Sequence, residues 1–137
     1  MKSEGIGRRA FIKRGVMAGG ACALLGVLPG CSSEPEKVMG TLAALKAQGY
    51  LMVRFNGSRA HARYVGDELV VFSQICQHKQ CTVRWEEEDH NFQCPCHDGV
   101  YTAEGEVVSG PPKAPLRRFR HELRGDTVVV LNQYLDR

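Results

Sequence analysis

Beyond residue 40, hydrophobic and polar residues alternate in short runs that are separated by glycine-containing turns. The runs are rich in β-branched and aromatic residues, which is typical of β-strands. One stretch, TLAALKAQ at residues 41–48, has the spacing of a short helix that ends at Gly49. The runs predicted as strands are residues 50–56, 59–65, 68–75, 116–123 and 127–135. This pattern predicts an all-β fold.

The N-terminal segment has a different pattern. A basic stretch is followed by an apolar one, and no charged residue occurs between Arg14 and Glu34. Such a segment is typical of a targeting signal and stands outside the fold. RRAFIK, residues 8–13, resembles the twin-arginine export signal, whose route carries folded proteins. We therefore expect residues 1–32 to direct the protein to the bacterial cell envelope, facing the periplasm or the cell exterior.

Two modes of membrane attachment are open. LPGC, residues 28–31, resembles a lipoprotein signal in which Cys31 is acylated. Alternatively, the uncharged stretch stays uncleaved as an anchor, because about 20 residues are needed to cross a bilayer. Both modes tether the protein to the membrane. Residues 33–40 are then predicted to be a polar tether to a domain at residues 41–137.

Composition and charge exclude some classes of function. The chain has 137 residues, of which 43% are hydrophobic and 24% charged, with a formal net charge of +3. These values are ordinary for a small globular protein. No basic stripe interleaved with aromatic residues is present, so nucleic-acid binding is not expected. A domain this small gains from a metal or a disulfide.

The four cysteines outside the N-terminal segment are grouped with two histidines. CQHKQC, residues 76–81, and CPCH, residues 94–97, each offer three candidate ligands. Four ligands suit zinc or an iron–sulfur cluster, so six are two too many. In an exported protein, one cysteine from each segment can form a disulfide with the other. The residues alone leave both kinds of metal site open.

The two segments resemble the cluster-binding boxes of the Rieske iron–sulfur family, in which two cysteines hold one iron of a [2Fe–2S] cluster and two histidines hold the other. The boxes read Cys76-x-His78-x-x-Cys81 and Cys94-Pro95-Cys96-His97. The resemblance covers residues 41–137. It implies a Rieske-type fold of small antiparallel sheets, with a cluster-binding subdomain made of two loops and a proline-rich loop.

The resemblance also assigns a role to each residue of the boxes. The implied ligands of one [2Fe–2S] cluster per chain are Cys76, His78, Cys94 and His97. The implied disulfide, which pins the two loops together, joins Cys81 and Cys96.

Three further positions are expected to tune the cluster. Lys79 replaces a family leucine that packs where quinol docks, and its neighbour Gln80 replaces a glycine. Gly99 replaces a serine that donates a hydrogen bond to a bridging sulfide. Tyr101 stands where the family's tyrosine bonds a ligand sulfur, here that of Cys76. Fewer donors lower the reduction potential, so we expect a value between those of the ubiquinol and ferredoxin types.

The proline-rich loop, residues 105–116, together with Gly99-x-Tyr101, resembles the Rieske subunits of menaquinol-oxidising cytochrome bc complexes. This implies an electron-transfer subunit rather than a stand-alone enzyme, with quinol, cytochrome b and a c-type cytochrome as partners. The alternative is the Rieske small subunit of an exported molybdenum oxidase, similar to the arsenite oxidases, where the cluster only relays electrons. A soluble Rieske ferredoxin is disfavoured by the export signal and by the extra cysteine pair. A zinc module is the remaining alternative.

Residues outside the boxes are expected to be structural. EEED, residues 86–89, is predicted to be a solvated hairpin tip, and Trp85 is predicted to pack in the core near the first loop. The histidines outside the boxes, His61, His90 and His121, are predicted to lie at the surface.

Overall fold

The computed structural model describes residues 33–136, and this part of the chain is nearly all-β, as predicted. The twin-arginine pair and Cys31 lie outside the described residues. No helix within residues 33–136 has both the length and the apolar character required to cross a bilayer. The elements are β1 (Glu36–Thr41), α1 (Leu42–Gln48), β2 (Tyr50–Phe55), β3 (Ser58–Val65), β4 (Glu68–Ser73), β5 (Arg84–Glu86), β6 (Asn91–Cys94), β7 (Gly99–Tyr101), β8 (Val107–Ser109), β9 (Arg118–Arg124) and β10 (Thr127–Tyr134).

The larger sheet is antiparallel, with strand order β1-β10-β9-β4-β3-β2. Its two edge strands come together, so the sheet is nearly closed. The backbone N–H of Glu34, just before β1, donates to the side-chain oxygen of Asn56, just after β2, at 2.7 Å. The Asn56 amide donates back to the Glu34 carbonyl at 3.0 Å. Closure leaves little of either edge open to another chain.

Strand β1 corrects one prediction. Residues 33–40 were expected to be a polar tether, but Glu36–Thr41 pairs with β10 and belongs to the sheet. Within this strand Met39 is buried, whereas Val38 faces outward and is 60% exposed. The segment is short and mostly polar, so its pairing depends on the apolar edge of β10, far away in sequence. The folded domain therefore begins before residue 41.

The predicted helix is present and its ends have clear causes. The Thr41 hydroxyl accepts the N–H of Ala44 at 3.1 Å, which caps the first turn. Gly49 takes a left-handed conformation with φ of 83° and donates its N–H to the Leu45 carbonyl at 2.8 Å. Leu45 is buried in the core.

Strand β4 separates two hydrophobic cores. Val71 faces the inside of the larger sheet, and its neighbours Val70 and Phe72 face the opposite side. Because successive side chains of a strand point to opposite faces, a strand buried on both faces reads as an unbroken apolar run. The core inside the sheet contains Met39, Leu45, Leu51, Phe55, Ala60, Ala62, Val71, Phe119, Val128 and Val130. The second core contains Val70, Phe72, Cys76, Val83, Phe92, Cys94, Tyr101 and Leu116.

The smaller sheet, in the order β5-β6-β7-β8, contributes to the second core. Its first hairpin pairs Glu86 with Asn91, so residues 87–90 form an exposed tip, as predicted for the acidic stretch. Trp85 packs edge-on against Phe92 with ring centroids 5.0 Å apart. The prediction that Trp85 packs against the core is therefore confirmed.

The surface position predicted for His61 is wrong. On β3, Ala60 and Ala62 face the inner core, so His61 faces the other side of the sheet, where it is fully buried. Its ring stacks on Tyr50 at 4.9 Å and meets Phe92 edge-on at 5.0 Å. The histidine is buried because the smaller sheet covers this face, which no local pattern indicates. His90 is exposed and His121 is half-buried.

Candidate metal centre

The first cysteine-bearing loop follows β4 and is closed by its own backbone. The N–H of Cys76 donates to the carbonyl of Cys81 at 2.8 Å, and the N–H of Gln80 donates to the carbonyl of Cys76 at 3.1 Å. A β-bridge between Ile75 and Thr82 closes the base of the loop. These bonds bring the two ends of the box together while residues 77–80 project outward.

The second loop is shorter. Cys94 and Gly99 are register partners at the ends of β6 and β7, so residues 95–98 form the whole connection. The two loops lie side by side, and the predicted disulfide is present between Cys81 and Cys96, whose Cα atoms are 6.5 Å apart. The sulfur of Cys94 lies within 4.8 Å of both disulfide sulfurs.

The four remaining candidate ligands divide into a buried pair and an exposed pair. Cys76 and Cys94 are free thiols and are only 2% and 3% exposed. His78 and His97 are exposed, and their rings meet edge-to-face with centroids 4.9 Å apart. The structure thus gathers two thiols on the inner side and two imidazoles on the solvent side.

Tyr101 provides the main side-chain contact to the thiols. Its side chain is fully buried, and its hydroxyl oxygen lies 3.3 Å from the sulfur of Cys76. The same oxygen accepts the backbone N–H of Gln77 at 3.0 Å. The hydroxyl proton is therefore free to be donated to the sulfur. Burial, together with the Cys76 sulfur, raises the pKa of Tyr101, so the phenol stays protonated as a donor.

The surroundings of Cys76 favour its thiolate. Burial alone would raise its pKa, but hydrogen bonds to the sulfur outweigh burial and the pKa is lowered. The donors are the Tyr101 hydroxyl, the backbone N–H groups of His78 and Lys79, and the Cys94 thiol. A sulfur that accepts several hydrogen bonds is prepared to carry negative charge.

Cys94 has the opposite tendency. Burial is the main cause that raises its pKa, and the neighbouring Cys76 sulfur adds to it. Backbone N–H groups of Cys96 and His97 point at the Cys94 sulfur and partly offset the rise. Each thiol thus receives two N–H groups from its own loop. Two adjacent thiolates repel each other, so a bound cation is required to hold both in that form.

The proline-rich loop packs directly on the second box at Gly99. A Cβ atom placed on Gly99 would lie 2.8 Å from Cγ of Pro112, which is closer than side chains tolerate. The backbone of Gly110, which has φ of 88°, also lies close to Gly99. A Cβ atom placed on Gly110 would be 2.7 Å from the Cα of Gly99. The serine that the family has at this position would therefore not fit here. Because Gly99 has no side chain, the backbone of the proline-rich loop packs closely against it.

Gln80 in the first box and Asp98, the first residue after the second box, adopt a backbone conformation that favours glycine. Gln80 has φ of 60° and Asp98 has φ of 53°. The Rieske pattern has glycine at the Gln80 position and also at the first residue after the second box. Aspartate tolerates this conformation better than glutamine does. Lys79, beside Gln80, is exposed and makes no side-chain bond among the described residues.

Sequence reasoning missed two residues at the centre. The backbone N–H of Gln77 orients the Tyr101 hydroxyl, and a backbone contact leaves no trace in residue type. Arg117 lines a cavity of about 290 Å³ together with His78 and Tyr134. Its guanidinium lies 3.7 Å from the centre of the Tyr134 ring. The aromatic partner comes from β10, so no local motif would have identified this arginine.

These residues fit a [2Fe–2S] cluster. Two thiols without disulfide partners are buried beside each other, with two imidazoles nearby on the solvent side. Two sulfur and two nitrogen donors of this kind match a centre that has thiolates on one iron and imidazoles on the other. The disulfide accounts for the two surplus cysteines.

Comparison with known proteins agrees with this chemistry. The family model for the Rieske [2Fe–2S] domain matches residues 36–120. The cytochrome b6-f complex iron–sulfur subunit of Chlorobaculum thiosulfatiphilum is 32% identical over 77 residues, which are 56% of this chain and 42% of that protein. The menaquinol:cytochrome c reductase iron–sulfur subunit of Bacillus subtilis is 46% identical over 63 residues, 43% of this chain and 38% of that protein. The chain thus spans about two fifths of these relatives' length.

Solved structures show the same fold. The cyanobacterial plasma membrane Rieske protein PetC3 from Synechocystis has a TM-score of 0.60 at 28% identity, covering 69% of this chain and 97% of that chain. The ferredoxin of carbazole 1,9a-dioxygenase from Nocardioides aromaticivorans has a TM-score of 0.51 at 20% identity, covering 73% and 100%. At 20% identity, the similarity to this ferredoxin shows only a shared fold.

The paired boxes, the buried thiols beside exposed imidazoles, and a family match over most of the folded part lead to one conclusion. This chain belongs to the Rieske [2Fe–2S] family.

Proposed function

We propose that this chain is the Rieske subunit of a membrane quinol:cytochrome c reductase, a cytochrome bc complex. It accepts electrons from quinol and passes them to a c-type cytochrome. The observation that carries the proposal is the pair of exposed imidazoles, His78 and His97, beside two buried thiols. The names of the Chlorobaculum and Bacillus relatives support it.

In this proposal Cys76 and Cys94 hold one iron, and His78 and His97 hold the other. When bound, the cluster supplies a one-electron couple, which in histidine-ligated centres lies at about −150 to +300 mV. Tyr101 donates its hydroxyl proton to the sulfur of Cys76 and so stabilises added negative charge.

The exposed imidazoles give the centre its second property. A neutral imidazole bound through one ring nitrogen keeps the other nitrogen available for a proton. Because His78 and His97 are at the surface, these nitrogens can exchange protons with a bound molecule or with water. Quinol oxidation releases both electrons and protons, so this face suits it.

An EPR-monitored redox titration of the full-length protein from about pH 6 to pH 10 tests the proposal. We expect a Rieske-type signal and a mid-range potential that falls as the pH rises within this range, because reduction is then coupled to proton uptake. Zinc in place of iron, with no such signal, would reject the metal centre itself. A low potential that stays flat until strongly alkaline pH would reject quinol as donor.

One observation favours a second function. Lys79 is exposed beside His78, where the family's leucine packs at the quinol site. An ammonium group disfavours an apolar quinol but does not hinder a relay within an exported molybdenum oxidase. Purification from native membranes distinguishes the two, because a cytochrome b subunit or a molybdopterin subunit would accompany this chain.

We further propose export by the twin-arginine route and attachment to the membrane through residues 1–32. The disulfide between Cys81 and Cys96 is consistent with an oxidising compartment. Replacing Arg8 and Arg9 by lysine should leave the protein in the cytoplasm on cell fractionation. Acylation at Cys31 is tested by mass spectrometry of the mature N-terminus.

A further inference from the structure

A basic cavity lies beside the disulfide between Cys81 and Cys96. Its volume is about 370 Å³, and neither His78 nor His97 lines it. Three arginines line this cavity and no carboxylate does. The arginines are Arg54 at β2, Arg59 at β3 and Arg84 at β5. They come from both sheets, so only the folded domain brings them together.

No carboxylate of the described part of the chain bonds these arginines directly, although Arg84 also lines a neighbouring cavity that contains Glu86 and Asp98. Arg54, Arg59 and Arg84 make no ion pair, side-chain hydrogen bond or ring contact within residues 33–136. Other arginines of the same domain do have partners. Arg124, for example, forms an ion pair with Glu36 at 2.6 Å, and Arg63 stacks on Trp85 at 3.8 Å.

The arrangement also works against the stability of the strand pair. Arg54 and Arg59 are direct register partners in the β2–β3 hairpin. Like charges opposite each other on adjacent strands are destabilising. An arginine pair of this kind is stabilised when an anion lies between the two charges.

We propose that this cavity binds an anion of the phosphate class. A guanidinium is a planar set of donors that matches the oxygens of phosphate. One carboxylate is satisfied by a single arginine, whereas three arginines suit a tetrahedral oxyanion with more oxygens and more charge. The phosphate comes either from solution or from an anionic lipid headgroup. None of the four proposed cluster ligands lines this cavity, although Cys81, Pro95 and Cys96 of the two boxes do.

The test uses the full-length protein and inorganic phosphate, with binding measured by calorimetry and by ³¹P NMR. The variant is Arg54→Gln combined with Arg84→Gln, which should weaken binding at least tenfold. The control combines Lys46→Gln with Arg120→Gln, two exposed residues outside the cavity, and removes the same net charge. The control should bind phosphate within twofold of the unmodified protein.

A second arm identifies the source of the phosphate. Vesicles of phosphatidylglycerol are compared with vesicles of phosphatidylcholine for binding of the same proteins. If the unmodified protein and the control prefer phosphatidylglycerol vesicles and the cavity variant does not, the ligand is a lipid headgroup. Binding of inorganic phosphate with no such preference assigns a free anion.

Two results would overturn the proposal: neither probe binds, or the cavity variant binds like the control. Loss of fold is not expected, because removing Arg54 relieves the repulsion with Arg59. Should the double variant fail to fold, Arg84→Glu alone serves instead, since it places a negative charge in the cavity from a separate strand. It should abolish phosphate binding, and retained binding would count against the site.

Discussion

At the scale of single residues, Tyr101 should set part of the reduction potential. Replacing Tyr101 by phenylalanine removes the proton donated to the Cys76 sulfur at 3.3 Å. Added electron density strengthens such a bond, so its loss destabilises the reduced form more than the oxidised form. Each kcal/mol of that difference is worth about 40 mV for one electron. EPR-monitored titration should therefore show a potential lower by tens of millivolts.

The control is Tyr64→Phe, since Tyr64 is 37% exposed and lies on β3, outside both boxes. It should keep the original potential. An intact Rieske signal with an unchanged potential in Tyr101→Phe would show that the hydroxyl does not stabilise the reduced state.

Gly99 tests whether the missing serine can simply be restored. In Gly99→Ser the new Cβ would lie 2.8 Å from Pro112, so the proline-rich loop must move. Overpacking of this kind costs about 1–3 kcal/mol. We expect the temperature at which visible absorption is lost to fall by about 5 °C or more.

A double variant separates overpacking from other effects. Pro112→Ala removes the atoms that Gly99→Ser would strike, so the combination should recover most of the lost stability. If the double variant is no more stable than the sum of the two single changes predicts, steric conflict with Pro112 is not the cause. Once room is made, the serine can act as an added donor, and the potential should rise.

Gln80 replaces the family's glycine, and this replacement should lower the stability of the folded protein. Its φ of 60° strains an L-residue by about 1–2 kcal/mol, and glycine would relieve that strain at some cost in unfolded-state entropy. Gln80→Gly should therefore stabilise the protein by roughly 0.5–1 kcal/mol. Lys79→Gly is the control, because Lys79 is an exposed neighbour in the same loop without a positive φ, and it should destabilise. Equal effects from both changes would contradict the strain.

At the scale of elements, the contact between the two sheets should make stability depend on pH. Burial, with the nearby charge of Arg63 as a second cause, lowers the pKa of His61 to about 3. In the unfolded chain this imidazole has a pKa of about 6.5. Between these values the unfolded state binds a proton that the folded state rejects. Stability is therefore fully present above about pH 6.5 and falls as the pH drops toward 3.

The slope of that fall approaches about 1.4 kcal/mol per pH unit for one group. His61→Phe keeps an aromatic ring among Tyr50, Trp85 and Phe92 but cannot bind the proton. Urea unfolding at about pH 7 and pH 4.5 should show a smaller loss for this variant than for the unmodified protein. His90→Phe, at an exposed position, should leave the loss unchanged. The same loss in all three proteins would exclude His61 as the cause.

How far the sequence predicts these elements depends on how local their causes are. The helix is predicted correctly because Thr41 and Gly49 act through neighbouring backbone groups. The boxes are predicted because their chemistry lies in residue type and short spacing. β1 and the burial of His61 are missed because each depends on a strand distant in sequence. Gln77 and Gly110 act through their backbones, which no residue pattern reports.

At the scale of the whole molecule, the two cores should respond differently to loss of the metal. The core inside the six-stranded sheet contains none of the candidate ligands. The second core includes Cys76, Cys94 and Tyr101, so its packing depends on what the two thiols hold. Without a cation, two adjacent buried thiols must stay largely protonated or separate. The disulfide still joins the loops across 15 residues, which is worth about 3 kcal/mol by loop entropy.

Hydrogen exchange on the full-length protein, before and after iron is removed by a chelator, measures this difference. Amides of β2, β3, β9 and β10 should keep their protection, whereas those of β5 to β8 and of both loops should exchange faster. Reducing the disulfide in the metal-free protein should speed exchange in the same region again, because the covalent link between the loops is lost. Equal loss of protection in both sheets would mean that the domain unfolds as one unit when the metal leaves. The larger sheet would then depend on the metal centre, and its own core would not suffice to hold it.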